Sequence, residues 1–237
     1  MADILLAPGK LTLWLHVVGI RADGYHLIEA EMASIDLADE LTFEPGDGLV
    51  IIDEVGSGLA VSAGPENLVA KALKAVGRTA QVTLRKRIPA GAGLGGGSSD
   101  AAAALRWAGC TDLAVAASIG ADVAFCLSGG RALVRGIGEV VLPQRGAVET
   151  YTLLIPPLAC STPDVYRAWD RLGGPTSATN DLEAAAIAVV PELARYRDEL
   201  ADATGQVPTL AGSGSTWFVP GAFPGLGRSV VRTTGPG

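Results

Sequence analysis

Between Leu11 and Val17 the chain alternates, with Leu11, Leu13, Leu15 and Val17 apolar and Thr12, Trp14 and His16 between them. A period of two predicts a strand with one buried face. A short strand at Ile4–Leu6 precedes it, and Pro8-Gly9 predicts a stop between the two. Further strands are expected at Glu31–Ile35, Glu40–Glu44, Leu49–Asp53, Leu59–Ser62 and Gln81–Lys86. Asn67–Val76 reads as a helix stopped by Gly77. Ala101–Ala108 reads as an alanine-rich helix, with Ser98, Ser99 and Asp100 as its N-cap region and Gly109 as its stop. Asp112–Ser118 is a short second helix ending at Gly120, so Asp122 is expected just past a helix end. Ala132–Val134 and Glu139–Leu142 predict a hairpin. Tyr151–Ile155 starts afresh as a buried strand. Helices at Pro163–Leu172, Asp181–Val189 and Pro191–Ala201 follow, then a strand at Trp217–Val219 and a short glycine-rich end, Gly225–Thr234. Strands dominate the first part and helices the second, which is an α+β arrangement. A boundary near Gln144–Ala147 gives expected domains of 1–146 and 147–237.

The densest signal lies between the strand at Gln81–Lys86 and the alanine-rich helix, where Gly91, Gly93, Gly95, Gly96 and Gly97 crowd one loop. Glycine permits conformations that turn several N–H groups toward one point. Together with the positive end of a helix dipole they form an anion site, suited to phosphate. A Walker A loop would end in Gly-Lys-Ser/Thr, and no lysine follows Gly97. A dinucleotide fold would need a preceding strand buried on both faces, whereas Arg85, Lys86 and Arg87 read as half-exposed and basic. A flexible linker would seldom feed straight into a capped helix.

The 237 residues are 49% hydrophobic and 18% charged, enough for a substantial core. A net charge of −7 argues against a protein that coats nucleic acid and favours a small-molecule partner. The three cysteines, Cys110, Cys126 and Cys160, show neither zinc spacing nor an even disulfide set, so a reducing cytoplasm is expected. No signal peptide is visible at the N-terminus, and no apolar run approaches the ~20 residues of a membrane span. No metal-ligating cluster is read from the sequence.

Two further features bear on chemistry. Lys10 follows Pro8-Gly9, and Gly212-Ser213-Gly214-Ser215-Thr216 forms a second glycine-serine loop. Two such loops with a lone aspartate and an isolated lysine suggest phosphoryl transfer. That reaction needs phosphates cradled, charge neutralised and an acceptor hydroxyl held in line. Taken singly, Asp122 reads as a turn aspartate, Lys10 as a surface lysine, and His26 and Tyr25 as packing or loop residues. Only their joint occurrence, in this order, carries the functional reading.

These motifs resemble the galactokinase, homoserine kinase, mevalonate kinase and phosphomevalonate kinase (GHMP) superfamily. Ala7-Pro8-Gly9-Lys10-Leu11 is similar to its Pro-x-Lys strand. The run from Pro89 through Gly91, Gly93, Leu94, Gly95, Gly96 and Gly97 to Ser98-Ser99 is similar to its phosphate loop. Ala211–Ser215 is similar to its late Gly-Ser-Gly loop. Arg21–His26, Gly120–Val123 and Asn180-Asp181-Leu182-Glu183 narrow the resemblance to the 4-diphosphocytidyl-2-C-methyl-D-erythritol kinases of the non-mevalonate isoprenoid pathway. The resemblance implies a two-domain GHMP kinase fold with a smaller, helix-rich C-terminal domain. It implies transfer of phosphate from ATP, with Mg²⁺, to the 2-hydroxyl of the cytidine-containing substrate. Asp122 is then the base and Lys10 its charge partner. Tyr25 and Tyr166 stack on the two faces of cytosine, and His26 reads its edge. Asn67 and Lys86 lie near the adenosine, and residues Gly91 to Ser99 hold the triphosphate. Thr12, Thr162, Gly212, Ser213 and Gly214 fall on the substrate side. A monomer or homodimer that binds neither nucleic acid nor membrane is expected.

The chain departs from the pattern at Thr12, where the family usually has Asn, at Gly9 in place of a small Ala, and at Ala124 in place of Pro. The segment Gly225–Gly237 is shorter than the pattern. Two other readings stand beside the main one: a GHMP kinase acting on another small alcohol, and a silent nucleotide-binding relative. Tyr25, His26 and Tyr166 speak against the first, and retention of both Lys10 and Asp122 against the second.

Overall fold

The computed structural model describes residues 2–56, 61–174 and 179–235. Its longest strands are the first two, β1 (Asp3–Ile20) and β2 (His26–Glu44), which pair antiparallel along nearly their whole length. The expected stop at Pro8-Gly9 is a register shift instead: Pro8 lies opposite Ala38 but Lys10 opposite Ser34. Proline gives up no ladder bond when its N–H side is unpaired, so the strand survives it as a bulge. The two strands expected at Glu31–Ile35 and Glu40–Glu44 are likewise one strand interrupted by the same bulge.

After β3 (Gly48–Asp53), α1 (Leu68–Ala75) crosses over to β4 (Gln81–Lys86), which runs parallel to β3. Asn67 caps α1 by accepting from Val69 N at 2.9 Å. Of the strand expected at Leu59–Ser62, residues 59–60 lie outside the described residues, and Val61 and Ser62 are not in a strand. The glycine loop leads into α2 (Gly96–Trp107), which begins earlier than expected. Its cap is Gly95, with φ +68°, so Ser98, Ser99 and Asp100 belong to the helix and not to a cap. α3 (Leu113–Ile119) is followed at once by α4 (Ala121–Ser128), a helix that apolar periodicity did not predict. Gly120 is extended between the two and serves as the C-cap of one and the N-cap of the other. The hairpin β5 (Arg131–Gly136) and β6 (Val140–Gln144) completes a six-stranded sheet in the order β3-β4-β2-β5-β6, with β1 also on β2.

A second sheet begins at β7 (Thr150–Leu154). Helices α5 (Thr162–Leu172), α6 (Glu183–Val189) and α7 (Leu193–Thr204) follow, then β8 (Thr209–Leu210), β9 (Trp217–Pro220) and β10 (Arg228–Arg232). The sheet order is β10-β7-β9-β8. The glycine-rich end is thus no loose tail, since β10 pairs with β7 from Arg228 opposite Leu154 to Arg232 opposite Thr150. It also ties the two sheets together: Thr234 N donates to Ser34 O at 2.8 Å, and Arg232 N to Asp36 Oδ1 at 2.9 Å, both on the bulged stretch of β2.

α2 is the centre of the larger core. Ala101 to Leu105 are fully buried, and small side chains let the helix lie close to β1, α1 and α4. Leu105, the large side chain of that run, fills what the alanines leave. Leu105→Ala is expected to cost about 2–5 kcal/mol of stability. Chemical denaturation monitored by circular dichroism checks this, and a loss below about 1 kcal/mol would show that the site collapses around the truncation.

Candidate active site

The glycine loop is held in place by its neighbours on both sides. Lys10 N donates to Leu94 O at 2.9 Å, from the edge of β1 that β2 does not cover. Ser99 Oγ donates to Pro8 O at 2.6 Å. From the other side, Thr216 donates to Ala92 O through its N at 3.1 Å and its hydroxyl at 2.7 Å. These contacts leave no room for side chains at two glycines. A Cβ on Gly93 (φ +78°) would stand 2.5 Å from Gly214 O, and one on Gly95 would stand 2.6 Å from Lys10 Cγ. The first intrahelical bond at this end of α2 runs from Ser99 N to Gly95 O at 2.9 Å. The N–H groups of Gly96, Gly97 and Ser98 are left for an anion.

In front of them opens a cavity of about 490 Å³, lined by Lys10, Ser62, Glu66, Asn67, Lys86, the loop from Ile88 to Ser98, Asp100, Asp122, Thr162 and Ser213. A second cavity of about 270 Å³ is lined by Lys10, Thr12, Leu15, Ile28, Met32, Ser98, Ala121, Asp122, Ile137, Thr162, Tyr166, Leu182, Gly212 and Ser213. Lys10, Ser98, Asp122, Thr162 and Ser213 belong to both, so the two spaces meet at these side chains. Lys10 Nζ stands 3.5 Å from Asp122 Oδ2 and donates to Thr12 Oγ1 at 3.0 Å. Lys10 is 5% exposed, while the Asp122 side chain is 31% exposed and reaches the cavities. α4 supplies that position: Asp122 sits in its first turn, where free helix N–H groups favour a carboxylate.

Several expected contacts lie in the first cavity with their polar ends already engaged. Asn67 Nδ2 donates to Ser62 O at 2.7 Å while its Oδ1 caps α1. The Lys86 ammonium lies between Asp39 Oδ2 and Asp100 Oδ2, the latter at 2.7 Å. Ser99 faces away, toward Pro8 O and Cys126 Sγ, and is not part of either lining. Pro89, Gly91, Gly93, Leu94, Gly95, Gly96 and Gly97 line the first cavity, and Gly212 lines the second. Gly214 lines neither and instead packs against the loop at Gly93. Thr162 Oγ1 and Ser213 Oγ bond at 2.9 Å across the rim.

The residues expected at cytosine are not all together. His26 stacks on Tyr166 with ring centroids 4.7 Å apart, and its Nε2 lies 2.7 Å from Asp170 Oδ1. Tyr25 is 58% exposed, lies outside both cavities and has the Arg21 guanidinium 5.4 Å from its ring centre. His26 opens β2, and neighbouring side chains at a strand start point to opposite sides, which separates this pair.

Sequence reading missed the Asp39–Lys86–Asp100 network. Asp39 Oδ1 also accepts from Arg87 N and Ile88 N, fixing the exit of β4 into the loop. A signal existed: Asp39 falls in phase with Leu41 and Phe43 on the inward face of β2. Asp100 is 3% exposed, and its Oδ1 has no hydrogen-bond partner. Burial pushes its carboxyl up to about 7, against the pull of Lys86 and with the added repulsion of Asp39.

Such an arrangement of amide nest, carboxylate and ammonium between two confluent cavities defines a small-molecule phosphotransferase. Comparison with known proteins agrees. The GHMP kinases N terminal domain matches residues 67–130. The 4-diphosphocytidyl-2-C-methyl-D-erythritol kinase of Paracoccus denitrificans is 37% identical, over 98% of this chain and 92% of that protein. That of Pelotomaculum thermopropionicum is 38% identical over 92% of this chain and 88% of its own length. A crystal structure of 4-(cytidine 5'-diphospho)-2C-methyl-D-erythritol kinase superposes with a TM-score of 0.76 at 31% identity, covering 98% of this chain and 100% of that chain. Homoserine kinase from Cytophaga hutchinsonii, at 19% identity and a TM-score of 0.58, shares the fold. The chain is an ATP-dependent small-molecule kinase with the GHMP fold. It belongs to the 4-diphosphocytidyl-2-C-methyl-D-erythritol kinase family.

The raised Asp100 carboxyl gives a pH prediction. Its folded value of about 7 exceeds the ordinary 3.8, so folding takes up a proton between these limits. Its contribution therefore favours the fold at low pH and is lost as pH rises through 7. From pH 5 to pH 8 the parent is expected to lose about 2–3 kcal/mol of stability relative to Asp100→Asn. Urea unfolding of both proteins at the two pH values measures the gap; a gap independent of pH removes the buried proton.

Proposed function

We propose that this chain transfers the γ-phosphoryl group of ATP to the 2-hydroxyl of 4-diphosphocytidyl-2-C-methyl-D-erythritol, giving the 2-phosphate and ADP. The reaction serves isoprenoid precursor synthesis by the non-mevalonate route. The observation that carries the reading is the meeting of two cavities at Lys10 and Asp122. One has the free N–H groups at the start of α2 for the nucleotide phosphates. The other has the wall of Leu15, Ile28, Met32, Tyr166 and Leu182 for an organic acceptor.

In this arrangement the acceptor hydroxyl oxygen forms a bond to the γ-phosphorus while the bond from that phosphorus to the β,γ-bridging oxygen breaks. Asp122 takes the hydroxyl proton, and Lys10 balances negative charge on the group in transit. Thr12 keeps the ammonium in place. A threonine hydroxyl accepts this hydrogen bond as well as an amide oxygen would, so the departure from Asn keeps Lys10 positioned. Tyr166 offers a half-buried ring to a planar base, where His26 stacks in the structure. The pairing with Asp170 leaves the other ring nitrogen of His26 for the base edge, and Tyr25 covers the base from the exposed side. Asn67 and Lys86 shape the adenosine end of the nucleotide cavity.

Among the described residues no group of three or more His, Cys, Asp or Glu side chains converges on a metal position. This donor set suits Mg²⁺ carried in on the phosphates, since that ion keeps several waters and takes few protein oxygens. Among the oxygens facing both cavities, those of Asp122 and Ser98 would hold it, and the ion would supply neutralisation of phosphate charge. The chain divides into domains 1–146 and 147–237, as the start of the second sheet at Thr150 supports. A cytoplasmic monomer or homodimer fits three cysteines without disulfides. Among the described residues no helix is long and apolar enough to cross a membrane.

Asp122→Ala is expected to lower kcat by about 10²–10⁴-fold in a coupled ADP-release assay with the cytidine substrate, with both substrates still bound. ADP release at the parental rate would take Asp122 out of the reaction.

A further inference from the structure

The short stretch from Thr179 to Asp181 has no part in the chemistry above, yet it joins two walls of the site. Its backbone runs beside β1: Leu15 N donates to Thr179 O at 3.0 Å, and Asp181 N to Leu15 O at 3.0 Å. The Asp181 carboxylate accepts from Val17 N at 2.9 Å, which strengthens the seam. Between these anchors lies Asn180, fully buried. Its Nδ2 donates to two backbone carbonyls of the second glycine loop, Leu210 O at 2.8 Å and Gly212 O at 2.7 Å. Its Oδ1 accepts from Leu182 N at 2.9 Å, at the start of α6.

The loop it holds forms the roof over the reacting groups. Gly212 has φ +63°, and the point where a Cβ would stand is 3.4 Å from Lys10 Nζ and 3.5 Å from Thr12 Oγ1. The next residue, Ser213, lines both cavities. A small outward drift of this turn would therefore uncover Lys10 and widen the acceptor side. The other bonds of the loop, Ala211 N to Thr216 O, Gly214 N to Ala211 O, Thr216 to Ala92 O, Ser215 Oγ to Leu158 O and Ser213 Oγ with Thr162 Oγ1, tie it to itself, to the first glycine loop, to Leu158 and to α5, and none runs to β1.

We propose that Asn180 is a positioning residue for phosphoryl transfer. Its carboxamide sets the distance between the Gly212-Ser213 turn and the Lys10–Thr12 pair, and so the shape of the space in which the acceptor hydroxyl meets Asp122. The inference rests on the kinase reading of the two cavities. Asn180 touches neither substrate; it acts through the backbone of Gly212. Catalysis is steeply sensitive to such placement, since a misplacement of about 1 Å can cost on the order of 10²-fold in rate.

Asn180→Asp separates this role from support of the fold. A carboxylate still accepts from Leu182 N. It has no hydrogen to give to Leu210 O and Gly212 O, which then face a charge. Below the melting temperature of the variant, kcat/KM for the cytidine substrate is expected to fall about 10–100-fold, with KM for ATP within about threefold of the parent. Hydrogen exchange at the Gly214 and Thr216 amides is expected to quicken while amides within α2 stay protected. Acceptor kcat/KM within twofold of the parent overturns the proposal. So does a rise in KM for ATP that matches the acceptor loss, or unchanged exchange in the loop. Should Asn180→Asp not accumulate folded, Asn180→Ser, neutral and too short to reach both carbonyls, is read by the same measurements. If the parent itself does not phosphorylate the cytidine substrate, the functional reading fails, while the exchange measurement still decides what Asn180 does to the loop.

Discussion

The Lys10 ammonium is buried, and a buried cation is tolerated only where oxygens and a counter-charge surround it. Thr12, Asp122 and the turn at Gly212 do so, and each comes from a different part of the chain. The backbone of the same residue is committed as well, through Lys10 N to Leu94 O. One residue thus fixes the glycine loop by its main chain and faces both cavities by its side chain. The place of β1 in the sheet makes this possible: it pairs with β2 alone, so the N–H groups along its other edge, that of Lys10 among them, are open to the loop. The glycines follow from the same constraint. Three segments approach so closely that Gly93 and Gly95 have no space for a methyl group.

Two buried lysines border the nucleotide cavity, and their surroundings assign them different work. Lys86 is saturated by Asp39 and Asp100 and holds the entry into the loop rigid. Asp39 continues that bracing by accepting from Arg87 N and Ile88 N. Lys10 has one partially exposed carboxylate at 3.5 Å, leaving capacity toward the cavity. A saturated pair gives rigidity, and an unsaturated one leaves charge available to a substrate. Such bracing is what a preorganised phosphate site needs, since donors already aimed cost no reorganisation when charge develops.

The two sheets are less separate than the strand-then-helix pattern suggests. The larger core draws together Leu15, Leu105, Leu154, Leu182 and Trp217, from both halves of the chain. A smaller core joins Leu11 and Ile35 to Leu153 and Phe218. Asn180 continues the theme by sewing the second half onto β1 beside the acceptor cavity. The Lys10–Asp122 pair lies at this seam, where residues on two halves of the chain can be brought together without crowding either core.

Much of this was legible in the letters. Alternation marked Leu11–Val17 and Gln81–Lys86 as strands, and the glycine crowding marked the loop ahead of α2, because both are local consequences of period and backbone freedom. Pro-x-Lys, the glycine loop and Gly120-Ala121-Asp122 named the chemistry through their residue types. What stayed hidden was set by contacts distant in sequence. α4 lacks the apolar period of an isolated helix and is stabilised by burial against α2, so Asp122 looked like a turn residue. Pro8-Gly9 looked like a stop because a bulge shows only when the partner strand is in place. Tyr25 and His26 read as a ring and an imidazole side by side, though Tyr25 is exposed and His26 stacks on a ring from α5. Local sequence thus determined which groups exist and which short elements carry them. Their distances were decided only by tertiary packing, because a cavity is bounded by atoms that the chain order does not bring together.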